Sequence, residues 1–290
     1  MITTSTRDFT DRTQQQMAEQ QIAAELPRKA SVLGIGVSIS DYRRAVEAIT
    51  TAANARQAVR VTALAVHGVM CGVLDRSHRW RLNQFDMVLP DGQPVRWALN
   101  ILHGARLADR VYGPNLTLQL CQRAAEMKLP VYFYGSRPEV LEQLIARLRA
   151  RFPALEVAGA RPSLFRRSNE DERRAINEEI ANSGARIIFV GLGCPRQEVW
   201  VYENAAALGV PVVAVGAAFD FHAGLLPQAP PALQARGLEW AYRLYQEPRR
   251  LWQRYLLLNP LFATLFLAQW CGLSRFSDKG DPPAHMEYFG

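Results

Sequence analysis

The chain has 290 residues, 49% hydrophobic and 21% charged, which excludes a disordered polymer or fibrous repeat and allows one or two domains around a full core. Lys and Arg number 34 against 27 Asp and Glu, and the resulting +7 favours acidic partners: nucleic acid, anionic lipid or a phosphorylated ligand. The four cysteines (Cys71, Cys121, Cys194, Cys271) are far apart and show no Cys-x-x-Cys or Cys/His metal spacing, so reduced thiols in a cytosolic protein are expected.

Residues 1–28 are rich in Gln, Thr and Asp and lack the apolar stretch of a secretory signal; a flexible tail or frayed helix is expected there. From Ser31 the pattern changes. SVLGIGVSI reads as a strand, and DYRRAVEAITTAANA as a helix with Asp41 near its start. VRVTALAVHGVM holds a strand that runs into a helix, and FDMVLP is a strand ending at Asp91-Gly92. NLTLQLCQRAAEMK is helical with Asn115 as its N-cap. PVYFYG is a strand, RPEVLEQLIARLRARFP a helix closed by Pro153, LEVAGA a strand, and NEDERRAINEEIANSG a charged helix ending at Gly184. ARIIFVGLG, a helix beginning near Pro195, and VPVVAVGAAFDF complete the series.

Short strands alternating with longer helices predict right-handed βαβ units: a Rossmann-like α/β fold, a parallel sheet with helices on both faces over residues 29–225. Ligands of such sheets bind at the carboxyl ends of the strands, so the residues after each strand carry the chemistry. Residues 226–290 break the alternation. A Pro-rich connection leads into RGLEWAYRLYQEPRRLWQRY, where Arg236, Arg243, Arg249, Arg250 and Arg254 are interleaved with Trp240, Tyr242, Tyr245, Trp252 and Tyr255. The uncharged run YLLLNPLFATLFLAQWCGL (255–273) follows, interrupted by Asn259-Pro260. It admits an interfacial anchor, a spanning helix or a hairpin packed on the core.

At the strand ends, Asp91 in PDGQPVR stands where a carboxylate could accept a proton from an attacking hydroxyl, with Gly92 behind it; the plainer reading is a turn capping the next helix. VGLGCPRQE offers Gly191 and Gly193 to a phosphate ahead of a helix N-terminus, with Gln197 and Glu198 in reach. Arg196 occupies the place of a third glycine, so the dinucleotide fingerprint is absent. Gly135 and Ser136 form a second turn. Arg110 precedes Gly113-Pro114-Asn115, where an arginine could neutralise a diphosphate, and Asp220 and His222 close the last strand. No Asp-x-Asp follows a strand, so no metal is expected at a sugar nucleotide. The histidines (67, 78, 103, 222, 285) are scattered and read as packed or surface residues.

VGLGCPRQE joined to GAAFDFHAG and GLEWAYRLYQEPRR, with Thr62, PDG at 90–92, RVYGPNL at 110–116 and YFYGS at 132–136, resembles the WecG/TagA/CpsF family of bacterial glycosyltransferases from about Ser31 to Tyr255. The resemblance implies an inverting, metal-independent transfer from a UDP-sugar to a polyprenyl-diphosphate-linked saccharide in surface or exopolysaccharide synthesis. It implies Asp91 as base, Thr62, Arg110 and Gln197 lining the active site, and no cofactor. The nucleotide-sugar would meet Gly92, Gly113, Asn115, Gly135, Ser136, Gly191, Gly193, Glu198 and Asp220. The C-terminal segment matches a membrane-docking appendage, with Arg243, Arg249, Arg250 and Arg254 contacting membrane or diphosphate. The expected partners are the UDP-sugar, the lipid-linked glycan and the inner face of the cytoplasmic membrane, not nucleic acid; a homo-oligomer stays open. Leu64 stands where the family often has Asn, and Pro114-Asn115 departs from Gly-x-Asp-Leu, so the donor sugar is not carried over. The alternative is an NAD- or nucleotide-binding α/β enzyme of another class, which lacks its Gly-x-Gly-x-x-Gly here.

Overall fold

The computed structural model describes residues 26–290. The expectation for residues 1–28 therefore lies almost wholly outside the described residues.

The strand expected over 31–39 is two strands. β1 (Lys29–Val32) and β2 (Ile35–Ser38) pair antiparallel through a two-residue turn, with Leu33 at φ 54° and Gly34 at φ 83°. Two positive φ values in that turn match the right-handed twist of a hairpin. Gly34 has a second reason to lack a side chain, because a Cβ there would lie 2.4 Å from the Ser277 carbonyl oxygen.

α1 (Tyr42–Ala55) starts at Asp41, whose side chain accepts from the Arg44 amide at 2.8 Å. β3 (Arg60–Leu64), α2 (Val66–Leu74), α3 (Arg76–Asn83), β4 (Met87–Pro90) and α4 (Gln93–His103) follow. α5 (Gly113–Met127) begins two residues before Asn115; its N-cap is Tyr112, so Asn115 sits in the first turn instead of capping it. β5 (Val131–Gly135), α6 (Pro138–Arg151) and β6 (Val157–Arg161) lead to α7 (Glu170–Asn182), closed at its start by a reciprocal Asn169–Glu172 capping box. β7 (Ile187–Gly191), α8 (Arg196–Leu208) and β8 (Val212–Ala214) complete the core. The last expected strand is shorter than the run VPVVAVGAAFDF: it ends at Ala214, and Asp220 lies on a short helix, α9 (Ala218–His222).

β3 to β8 form one six-stranded sheet in the order β4-β3-β8-β7-β5-β6, every pairing parallel. Alternate residues along each central strand enter different cores. Val61, Met87, Phe133, Phe189 and Val213 pack with α1, α5, α6 and α9, while Val88, Tyr132, Ile188, Val212 and Trp200 pack with α2, α4, α7, α8 and the hairpin. The stacked pair Phe133–Phe189, with centroids 5.3 Å apart, belongs to the first core; Tyr134–Trp200, 4.6 Å apart, belongs to the second.

Beyond the sheet come four short helices: α10 (Pro231–Ala235), α11 (Glu239–Gln246), α12 (Pro248–Leu256) and α13 (Leu258–Trp270). The uncharged run divides between α12 and α13. At 13 residues α13 measures about 20 Å, short of a hydrocarbon layer of about 30 Å. No described helix is long and apolar enough to cross a membrane, which removes the spanning alternative for 255–273. One side of α13 joins the core through Phe262, and Gln269 accepts from the Leu33 amide at 3.0 Å. The other side leaves Leu261, Leu267 and Trp270 exposed.

Candidate active site

The carboxyl ends of β3, β4, β5, β7 and β8 open into a cavity of about 620 Å³ roofed by α11 and α12. Its floor is set by backbone. The Asp91 amide donates to Leu64 O at 3.1 Å and the Val111 amide to Pro90 O at 2.9 Å, so the chain leaving β4 is pinned on both sides. Gly92 is the N-cap of α4 and uses no side chain for capping. A Cβ there would approach the Ala65 Cα to 3.3 Å. Asp91 is thus not the cap of the next helix; its carboxyl faces the cavity. Burial pushes its pKa up to about 7, against the pull of the Arg110 guanidinium and with the help of the Glu239 carboxylate.

Arg110 is almost fully buried. Its Nη2 donates to Glu239 Oε2 at 2.5 Å and to Gln234 Oε1 at 3.3 Å, and its guanidinium lies 4.3 Å from the centre of the Tyr112 ring. Arg110 is therefore held between the carboxyl at the sheet and one contributed by α11. Sequence reasoning missed Glu239, although it stands inside GLEW; only the fold brings α11 to Arg110.

Thr62 does not line the cavity. It is fully buried on β3, and its Oγ1 donates to Glu198 Oε1 at 2.9 Å. The same oxygen accepts from Gln197 Nε2 at 2.8 Å, and Gln197 Oε1 accepts from the Gly216 amide at 3.1 Å. Gln197 faces the cavity, while Glu198 and Thr62 form the layer beneath that fixes its amide orientation. Glu198 Oε2 has no hydrogen-bond partner among the described residues.

The glycines divide in the same way. Gly191 and Gly193 line the cavity. Gly193 has φ 79°, at the turn ahead of α8, and a Cβ there would meet only Arg196 Nη2, at 4.0 Å. Gly135 lies behind the wall, where a Cβ would come within 2.7 Å of the Gly191 backbone. The neighbouring Ser136 does line the cavity, and its amide donates to Gly191 O at 3.1 Å. Gly113 is buried, with a Cβ position 3.1 Å from Val215 O, and Asn115 is exposed outside the cavity. Asp220 reaches the cavity from α9; burial raises its pKa, opposed by Arg137 and Arg250.

Of the C-terminal arginines, Arg243, Arg250 and Arg254 line the cavity, and Arg249 is exposed away from it. Trp240 and Tyr255, read from sequence as interfacial aromatics, also face inward, with ring centres 6.0 Å apart. Counting charges on the wall, six arginines (110, 137, 196, 243, 250, 254) against Asp91, Asp220 and Glu239 leave a net +3 when all are ionised. A desolvated site with that excess suits an anion of more than one charge.

The cysteines and histidines are less scattered in space than in sequence. His67 and Cys194 reach the cavity wall, and Cys71 lies behind them with its Sγ 3.7 Å from His67 Nε2. The Cys71 thiol is held below the usual thiol range, first by the Cys194 thiol and also by His67, while Cys194 is pushed up by the same partner and by burial. His222 is engaged elsewhere: its Nε2 pairs with Pro114 O at 2.8 Å.

Residues 30–276 match the profile of the Glycosyl transferase WecG/TagA/CpsF family. Among curated relatives, the N-acetylglucosaminyldiphosphoundecaprenol N-acetyl-beta-D-mannosaminyltransferase of Bacillus spizizenii is 32% identical over 187 residues, covering 64% of this chain and 70% of that protein.

Proposed function

The chain belongs to the WecG/TagA/CpsF family of glycosyltransferases, and from that premise we propose that it moves a sugar from a UDP-sugar onto a polyprenyl-diphosphate-linked saccharide, inverting the anomeric carbon, with Asp91 as general base. The observation that carries this reading is a carboxyl at the mouth of the sheet, with a pKa raised to about 7, inside a cavity whose arginines outnumber its carboxylates. The Bacillus relative is named for a sugar transfer to a diphosphoundecaprenol-linked N-acetylglucosamine, which supports the acceptor class.

In this mechanism the acceptor hydroxyl gives its proton to an Asp91 carboxylate oxygen while its own oxygen attacks the anomeric carbon. The bond from that carbon to the nucleoside diphosphate breaks on the opposite face, and the electron pair leaves with the diphosphate. A base titrating near the working pH is half ionised and still able to take a proton, which suits this step. Arg243, Arg250, Arg254 and the Gly193 turn supply the positive character that a departing diphosphate needs, a contribution of several kcal/mol in comparable sites. That convergence of guanidinium groups supports a transfer that needs no divalent ion at the diphosphate.

The acceptor's lipid stays in a bilayer, so the enzyme must come to it. Leu256, Leu257, Leu261, Leu267 and Trp270 are exposed along α12, α13 and the link between them, and Arg249 is exposed on α12. This combination fits a peripheral seat on an anionic leaflet, here the inner face of the cytoplasmic membrane.

The test is transfer from a panel of UDP-sugars to a short-chain polyprenyl-diphosphate glycan, with EDTA present, comparing wild type with Asp91→Asn. Transfer that survives EDTA and falls by orders of magnitude in the variant supports the mechanism. Equal rates for the two proteins remove Asp91 from the role of base.

A further inference from the structure

The fold assembles a donor set that no spacing motif announces. The ligand atoms of His67, Cys71 and Cys194 all lie within 4.8 Å of one another. His67 and Cys71 are one helical turn apart on α2, so their side chains share a face. Cys194 comes from the turn between β7 and α8, more than a hundred residues further along. Cys71 Sγ lies 3.7 Å from His67 Nε2 and 3.9 Å from Nδ1. Around a tetrahedral zinc ion with bonds of about 2.3 Å to sulfur and about 2.0 Å to nitrogen, the sulfur and nitrogen stand about 3.5 Å apart. Both cysteines are free, so neither sulfur is committed to a disulfide.

We propose that His67, Cys71 and Cys194 form a binding site for a soft divalent ion of the Zn²⁺ class, built into the wall of the cavity. Two thiolates and an imidazole favour Zn²⁺ over Mg²⁺ or Mn²⁺, which take carboxylates, carbonyls and water. The site is therefore chemically separate from any ion bridging a diphosphate, and it does not depend on the proposed reaction. His67 and Cys194 stand on the cavity surface, so the fourth coordination position opens toward the cavity and is left to water or a ligand there. An ion held this way ties α2 to the Gly193–Cys194 turn and fixes the entrance to α8.

Co²⁺ is the probe. Added to reduced, metal-stripped full-length protein, one equivalent should produce the near-ultraviolet thiolate-to-cobalt absorption and the strong visible bands of a tetrahedral ion. Zn²⁺ should then displace it. Cys71→Ser and Cys194→Ser should each weaken Zn²⁺ binding by at least about 100-fold, the upper end of what loss of a merely supporting residue costs. Cys271→Ser, at an exposed C-terminal position, should bind as wild type does. If a cysteine variant fails to melt cooperatively without metal, His67→Gln replaces it and must lose affinity to a similar degree. Absence of the thiolate absorption in folded wild-type protein, or an equal absorption in Cys71→Ser, overturns the proposal. So does quantitative Cys71–Cys194 disulfide formation in the presence of excess Zn²⁺.

Discussion

Replacing Asp91 by asparagine removes a charge that the fold has to bury, and the consequence for stability has a sign opposite to the consequence for activity. The carboxyl has its ordinary value of 3.8 in the unfolded chain and about 7 in the folded one. Between those values the unfolded chain has lost a proton that the native protein keeps. Stability is therefore fully present below the lower value, falls by about 1.36 kcal/mol per pH unit through the window, and levels off above the upper one. Asparagine has no such slope. From pH 5 to pH 8 the variant should gain about 2.7 kcal/mol on wild type, the part of the window above pH 5. A chain of this size shifts by about 2 °C per kcal/mol, which makes about 5 °C, or roughly 3 °C if water in the open cavity screens half of it. The assay is thermal melting of both proteins at pH 5 and pH 8. Comparing the two differences cancels any pH-independent effect of the substitution. A gap that does not widen with pH refutes the buried-charge argument, whatever happens to the transfer rate.

For wild-type transfer, kcat/KM should fall about tenfold per pH unit well below pH 7, as protonation removes the base; a rate flat from pH 5 to pH 7 argues against Asp91. Glu239→Gln removes the carboxylate that helps raise Asp91 and frees Arg110 to lower it, so the acidic limb of that profile should move to lower pH. The same change breaks a buried ion pair, at a cost of about 3 kcal/mol in a urea titration. Thr62→Val leaves Glu198 with Gln197 as its sole side-chain partner and should cost about 1–3 kcal/mol, so unchanged urea unfolding would contradict the buried network. Leu261→Ser with Leu267→Ser and Trp270→Ser should abolish binding to anionic vesicles while the protein still melts cooperatively, because about half of each side chain is already exposed.

Much of the sheet was legible because its strands carry the pattern of doubly buried elements: VYFYG and IIFVG are continuous apolar runs flanked by turn residues. The hairpin was not. SVLGIGVSI alternates as one strand would, and its turn places Leu33 in a left-handed conformation where sequence leads one to expect Asn or Asp. AFDFH was read as strand because a short apolar run has no period long enough to separate the two structures. At the site, Asp91 and Gln197 could be placed from their positions after strands, and Arg110 from its place just ahead of the Gly113-Pro114 turn. The layer beneath them could not, since Thr62 meets Glu198 only through the packing of α8 on β3. Distance along the chain hid the His67–Cys71–Cys194 cluster in the same way, because one ligand is local and the other is brought in by the fold.

The C-terminal segment shows why its composition pointed in two directions at once. Its arginines and aromatic residues were read as one interfacial group, yet helices as short as α11 and α12 have two sides, and the residues sort between them. Arg243, Arg250, Arg254, Trp240 and Tyr255 turn to the cavity, while Tyr245, Arg249, Trp252, Leu256 and Leu257 turn outward. Within three residues, from Arg254 to Leu257, the chain passes from the site to the outer surface. The charge that would hold a diphosphate and the apolar surface that would meet a bilayer are thus mounted on the same short helices. α13 fastens those helices to the core through Phe262 and Gln269. On the proposed reading, the helices that would meet the lipid of the acceptor are thus the same ones that carry cationic and aromatic side chains into the cavity of Asp91, and no separate element is needed to join the two.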